Sequence, residues 1–190
     1  MIAGRRLMLY CVVLAWPAWS TESNDDGAFQ IHDGRAFVEE REIRVTAQLS
    51  HTLSKAALKA LQNGVALEVI AEAELVRKRA LWWDEVLITT SRRLLLEYHA
   101  LANQYVLRNL TRGTSQTFRS LSPMLNEIND VRALPIGSTS LLTNDESYHV
   151  RLRARLDIES LPAPLRPMAY VSDAWQLSSG WRNWVLQWQK

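Results

Sequence analysis

Cysteine is nearly absent from this chain of 190 residues; Cys11 is the single one. Beyond residue 20 there is no thiol, which excludes disulfides, thiol catalysis and thiolate metal sites together. Glycine is sparse as well, seven residues in all, and none builds a phosphate-cradling loop or a Gly-x-Ser-x-Gly elbow. The four histidines, His32, His51, His99 and His149, never fall at the spacing of a zinc site on a helix. No cofactor, no metal ligand set and no catalytic residue is therefore expected. Each histidine is better read as an isolated surface or strand-edge residue, although a site assembled from scattered residues stays open.

A long hydrophobic run is missing too, and this decides how the N-terminus reads. Arg5-Arg6 gives a short basic start, and Leu7 to Ala15 is apolar and uncharged. Pro17 breaks any helix, and Ala18-Trp19-Ser20 places small residues where a signal peptidase inspects them. The apolar run is roughly half of the ~20 residues that span a bilayer. A secretory signal peptide over residues 1–20, cleaved after Ser20, is expected; a retained membrane anchor is the alternative. Cys11 follows Tyr10, where a lipoprotein signal needs a small residue, and Arg5-Arg6 is too bare for a twin-arginine signal. The expectation is an exported protein.

Cleavage would also remove the excess charge. The chain carries 22 basic and 20 acidic residues, and the signal segment holds two of the basic ones and none of the acidic. A nucleic-acid binder carries a strong basic surplus, so no nucleic-acid partner is expected. No second hydrophobic stretch is long enough to cross a membrane. The expected organisation is a signal peptide at 1–20, a flexible polar start at 21–27 and a single globular domain at 28–190. The sequence does not set the oligomeric state.

What is present is alternation. Glu42–Leu49, Val65–Val76, Val86–Glu97 and His149–Asp157 place apolar residues at every second position. That is the pattern of strands with one buried and one polar face, as in antiparallel sheets. Residues 94–99 and 104–109 flank Ala100-Leu-Ala-Asn103 and suit a hairpin. Phe29–His32 and Ala36–Glu39 flank Asp33-Gly34, a second hairpin signal. Thr52 or Ser54 can cap a helix with Ala57, Leu58 and Leu61 on one stripe, stopped by Gly64. Ser122-Pro123 opens another, ending before Pro135. Leu161-Pro-Ala-Pro-Leu-Arg-Pro167 reads as a rigid turn. The fold expected is mainly β: an antiparallel β-sandwich of about seven strands with two short helices. The alternative is α+β, with helices on one face of an antiparallel sheet.

Three features could carry function. Trp82, Trp83, Asp84 and Glu85 sit between two strands and could form a binding edge, or could simply cover the end of the core. Trp175, Trp181 and Trp184, with Trp188, could bind glycan, peptide or membrane interface, or could close the fold by packing. On a helix Trp181, Trp184 and Trp188 would share a face; Trp175, Leu177 and Trp181 fit strand spacing. Arg151, Arg153 and Arg155 could bind an anion, or could pair with Glu68, Glu72 and Glu74 across neighbouring strands. The pairing explains both runs at once.

The order of motifs resembles a known family. It runs from Glu42-Ile-Arg-Val-Thr-Ala-Gln-Leu-Ser50 through Gln62-Asn-Gly64, Trp82-Trp-Asp-Glu85, Arg93-Leu-Leu-Leu-Glu-Tyr98 and Asn103-Gln-Tyr105. It continues with Arg153-Ala-Arg-Leu156, Leu161-Pro-Ala-Pro-Leu165 and Asp173-Ala-Trp175-Gln-Leu-Ser-Ser-Gly-Trp181. This is similar to the proteobacterial domain of unknown function 4390, over nearly all of the chain after the signal segment. The resemblance implies a Gram-negative periplasm, or attachment to its membranes, and a role beside a membrane sensor kinase. It transfers no catalytic residue. The function expected is a non-enzymatic interaction module whose partner is an envelope or membrane protein. A small-ligand or glycan binder and a hydrolase are the alternatives.

Overall fold

A computed structural model describes residues 27–79, 83–143 and 146–188. The expected signal peptide, Trp82 and all but the last residue of the expected flexible start fall outside them. Where the sequence alternates, strands form. In β2 (Glu42–His51) the alternate residues Ile43, Val45, Ala47 and Leu49 are buried. In β8 (Tyr148–Leu156) Val150, Leu152, Ala154 and Leu156 do the same. β3 (Leu67–Arg77) lies between β4 (Glu85–His99) and β8, antiparallel to both.

The remaining strands are β1 (Phe29–Glu39), β5 (Gln104–Asn109), β6 (Thr114–Phe118), β7 (Asp130–Ser138) and β9 (Arg182–Trp188). All nine form one hydrogen-bonded sheet in the order β6-β5-β4-β3-β8-β9-β1-β2-β7. The fold is mainly β, but it has nine strands rather than about seven. β9 stitches the two halves together, antiparallel to β8 and parallel to β1. Among the described residues three α-helices accompany the sheet, one more than expected: α1 (Lys55–Gln62), α2 (Leu121–Asn129) and α3 (Arg166–Val171).

The sheet curls until its β7 end meets β4. Arg92 of β4 donates to the carbonyls of Ile128 and Asp130, where α2 passes into β7. Gly137 of β7 faces Ile88 of β4. The enclosed core runs from Phe29, Ile43 and Val45 through Leu67, Leu75 and Leu96 to Leu152 and Leu161. Pro135 sits in β7, at the sheet edge, where no second neighbour needs its missing N–H.

Three local expectations change. Asp33-Gly34 is not a turn; β1 runs through it with a bulge at His32, and the chain reverses at Glu40-Arg41. Both turn residues take positive φ, 48° and 66°, the backbone of a two-residue hairpin that fits the twist of the strands. Gly34 instead lies under the indole of Trp184. An added Cβ would come within 2.6 Å of that ring. α2 starts at Leu121, before Ser122, and Ser120 precedes it with no side-chain cap; the buried pair Met124 and Ile128 fixes its face. The Pro-rich 161–167 stretch leads into α3, with Pro167 in its first turn.

α1 is built as the sequence suggests. Ser54 Oγ accepts the Ala57 N–H at 3.1 Å and donates to the Ala174 carbonyl at 2.6 Å. The same hydroxyl thus caps the helix and ties it to the turn carrying Trp175. Gly64 follows at φ +85°, a left-handed stop that suits glycine.

Candidate interaction surface

Glu85 begins β4 directly opposite Arg77, the last residue of β3. Arg77 pairs with Glu85 and, at 2.9 Å, with Glu146. Arg79 reaches Glu85 as well. Glu146 also accepts from the hydroxyls of Tyr148 and Thr143, both at 2.9 Å. Hydrogen bonding to Arg77 is the main reason that Glu85 and Glu146 sit below the usual carboxylate range, and Glu85 in turn raises Arg77. These charges are spent on each other, so Glu85 clamps the hairpin end rather than waiting for a ligand.

Trp83, two residues before Glu85, is 94% exposed, although an indole buries more apolar area than almost any side chain when it can. On the same sheet end, Val86, Val76, His149 and Val185 stand in register across β4, β3, β8 and β9. Val86 and Val185 are exposed, while Val76 and His149 are buried. Asp84 Oδ2 lies 3.9 Å from His149 Nε2. Burial pushes the imidazole pKa down more than Asp84 pulls it up. That spacing is longer than a hydrogen bond.

The tail tryptophans do not form one stripe. Trp175 is buried in the core beside α1. Trp181 lies on the outer face, with the guanidinium carbons of Arg151 and Arg153 at 4.7 and 4.5 Å from its ring. Trp184 points the other way and covers Gly34. The helical spacing of Trp181, Trp184 and Trp188 is therefore not used; the last two lie on β9. Of the expected surface, Trp83, Asp84 and Glu85 come together at one end, and Trp175, Trp181 and Trp184 lie apart from each other.

The arginine run is structural in the way the alternation suggests. Arg153 reaches Glu72 at 2.8 Å and Arg151 reaches Glu74 at 2.5 Å, between register partners on β8 and β3. Arg155 turns to Asp157 at 3.1 Å. Glu68 pairs with Arg93 on the other side, in β4. The acidic face is therefore not wetted; Glu68 and Glu74 are buried beneath the guanidinium groups.

Surface concavities of about 480 and 510 Å³ are lined by Gly34, Arg35 and Gln48, and by Arg155, Tyr170 and Leu177, among others. Among the residues whose side chains are described, no tryptophan lines either one. Among the described residues no cluster of three or more His, Cys, Asp or Glu could hold a metal ion. No described helix is long and apolar enough to cross a membrane.

A family model described as a domain of unknown function (DUF4390) matches residues 27–185. The chain belongs to that family. The DUF4390 match begins two residues before β1 and ends inside β9, so it takes in every strand of the curled sheet. No curated protein and no solved structure matches the chain.

One set of residues carries more than sequence reasoning gave it. Arg92 falls on the apolar phase of β4, in step with Leu94 and Leu96. A cation on a strand's inward face is the available signal. The pocket it enters is lined also by Asn109, Arg112, Thr114, Gln116 and Glu127, which no local pattern connects.

Proposed function

We propose that this DUF4390 protein is an exported, non-enzymatic interaction module of the periplasm. Its partner is an envelope or membrane protein, with a membrane sensor kinase or an envelope-assembly factor as the leading classes. The docking end is the β3–β4 hairpin. The observation that carries the reading is the exposed Trp83 two residues before Glu85, which the Arg77–Glu85–Glu146 ion pairs fix at the start of β4, on a sheet end that also exposes Val86 and Val185. Tryptophan is enriched among the residues that anchor protein interfaces.

The test is site-specific photo-crosslinking from position 83 in intact cells, with Trp83→Ala and Val185→Glu proteins for comparison. A discrete membrane-protein adduct that is formed from position 83, and competed by the unmodified protein but by neither variant, supports the reading. Adducts only with abundant bystanders, or equal competition by both variants, overturn it. Mass spectrometry of the protein from the periplasmic fraction tests export: a chain beginning at Thr21 is expected, and an unprocessed cytoplasmic chain would refute it.

A further inference from the structure

Among the described residues Arg92 makes no direct ion pair, and Glu127 and Asp130 act on it only through their fields. Arg92 leaves β4 in step with the buried Leu94 and Leu96 and is itself half-buried. Two of its N–H groups reach the Ile128 and Asp130 carbonyls, each at 3.1 Å. Its Nε is buried and has no partner. A guanidinium has five N–H donors, so carbonyls satisfy a minority of them. Neither neighbouring acid neutralises it. Asp130 is bound by Arg132 at 2.6 Å, and Glu127 acts on Arg92 only through its field. Burial and then the charge of Arg112 lower the Arg92 pKa, which places two guanidinium groups within reach of each other's repulsion.

The two arginines line one cavity of about 160 Å³ between α2 and the inner face of β4, β5 and β6. Leu94 and Leu107 form an apolar part of its lining. Asn109, Thr114 and Gln116 supply neutral polar groups, and Glu127 is the single acid. Asn109 Oδ1 is already taken by the Thr111 and Arg112 N–H groups, which leaves its amide N–H₂ as the group to offer. Two cations against one acid give the lining a surplus of one positive charge. A buried ion without a partner is costly, and the forked geometry of arginine matches a carboxylate. The volume equals that of about five waters at ~30 Å³ each, enough for an acid of a few carbons whose chain lies on the two leucines.

We propose that this cavity is a binding site for a short-chain monocarboxylate, held by Arg92 and Arg112 against the Leu94 and Leu107 floor. The site is on a different part of the curl from the Trp83 hairpin end and does not depend on the function proposed above.

The probe is butyrate, titrated into the full chain as isolated from cells, with the side-chain N–H resonances of Arg92 and Gln116 followed by NMR. Saturable shifts of both are expected. Arg112 is exposed, so Arg112→Ala keeps the fold and should weaken the apparent Kd about tenfold, the loss of one charge-assisted contact. Glu127→Gln, which removes the competing acid, should tighten it. Sodium chloride at matched ionic strength should leave the resonances in place, and inorganic phosphate should bind less tightly than butyrate because it gains nothing from the leucine floor. A shift reproduced by chloride, an unchanged Kd in Arg112→Ala, tighter binding of phosphate, or no saturable shift overturns the proposal.

Discussion

His51 should make this fold acid-sensitive by a definite amount. The imidazole ends β2 and is 5% exposed. The Phe29 ring meets it edge-on at 4.5 Å. Its Nδ1 lies 2.7 Å from Asn129 Oδ1, which also accepts the His51 backbone N–H. With that oxygen as a shared acceptor, Nδ1 carries the proton and Nε2 is left bare, buried and without a partner. Burial is the main reason its pKa falls from 6.5 to about 4; the Asn129 hydrogen bond opposes the fall and the charge of Arg92 adds to it. The folded protein thus holds the neutral ring, while the unfolded chain takes up a proton near pH 6.5. The stabilisation is fully present above 6.5 and is lost as pH falls from there to about 4. At about 1.4 kcal/mol per pH unit, the loss is about 3 kcal/mol. Wild type and His51→Leu should be unfolded in urea at steps from about pH 7.5 to about pH 4. Carboxylates shared by both proteins titrate in parallel, so the difference between the curves isolates the histidine. That difference should move by about 3 kcal/mol in favour of the variant as pH falls. Curves that stay parallel would refute a buried neutral His51.

Other perturbations separate structural from exposed tryptophan. Trp175→Ala should destabilise by about 3–5 kcal/mol, because the ring is in the core. Trp83→Ala should stay within about 0.5 kcal/mol, and chemical denaturation of the two side by side checks both. Gly34→Val should cost about 1–3 kcal/mol by overpacking and shift tryptophan emission, since the new side chain must displace the Trp184 ring; unchanged emission and stability would contradict the close approach. A double-mutant cycle on Glu72 and Arg153 should return a coupling of about 0.2–1 kcal/mol, reduced at high salt, and a coupling of zero would mean that the 2.8 Å pair does not hold in solution.

Strands with one apolar and one polar phase were legible. β2, β3, β4 and β8, the β4–β5 hairpin with Asn103 in its turn, and the Ser54-capped α1 all follow local patterns that tertiary packing reinforces. The Glu–Arg ladder was legible for Arg151–Glu74 and Arg153–Glu72, but Ile70 stands opposite Arg155, which turns to Asp157, while Glu68 pairs with Arg93 of β4. The missed elements have local reasons. β6 is Thr-Ser-Gln-Thr-Phe at an exposed edge, with no buried face to impose alternation. β7 contains Pro135, which only an edge tolerates. Asp33-Gly34 carries a turn signal that lost to packing, because the glycine is needed under Trp184 rather than at a reversal. The tail tryptophans could not be sorted by spacing, since β9 inserts between β8, the strand before it in the chain, and β1, the strand at the chain's far end.

The sequence by itself determined a mainly β chain without thiols beyond its N-terminal stretch, near charge balance, and with its core phases marked residue by residue. Those properties are local or compositional, so they can be read from a string. Tertiary structure alone decided that nine strands close into one curl, that Trp83 is left in solvent while Trp175 is buried, and that Arg92 and Arg112 meet in one cavity. Each of these depends on contacts between residues distant in the chain, and such contacts are fixed by the sum of packing and pairing rather than by any neighbouring residue.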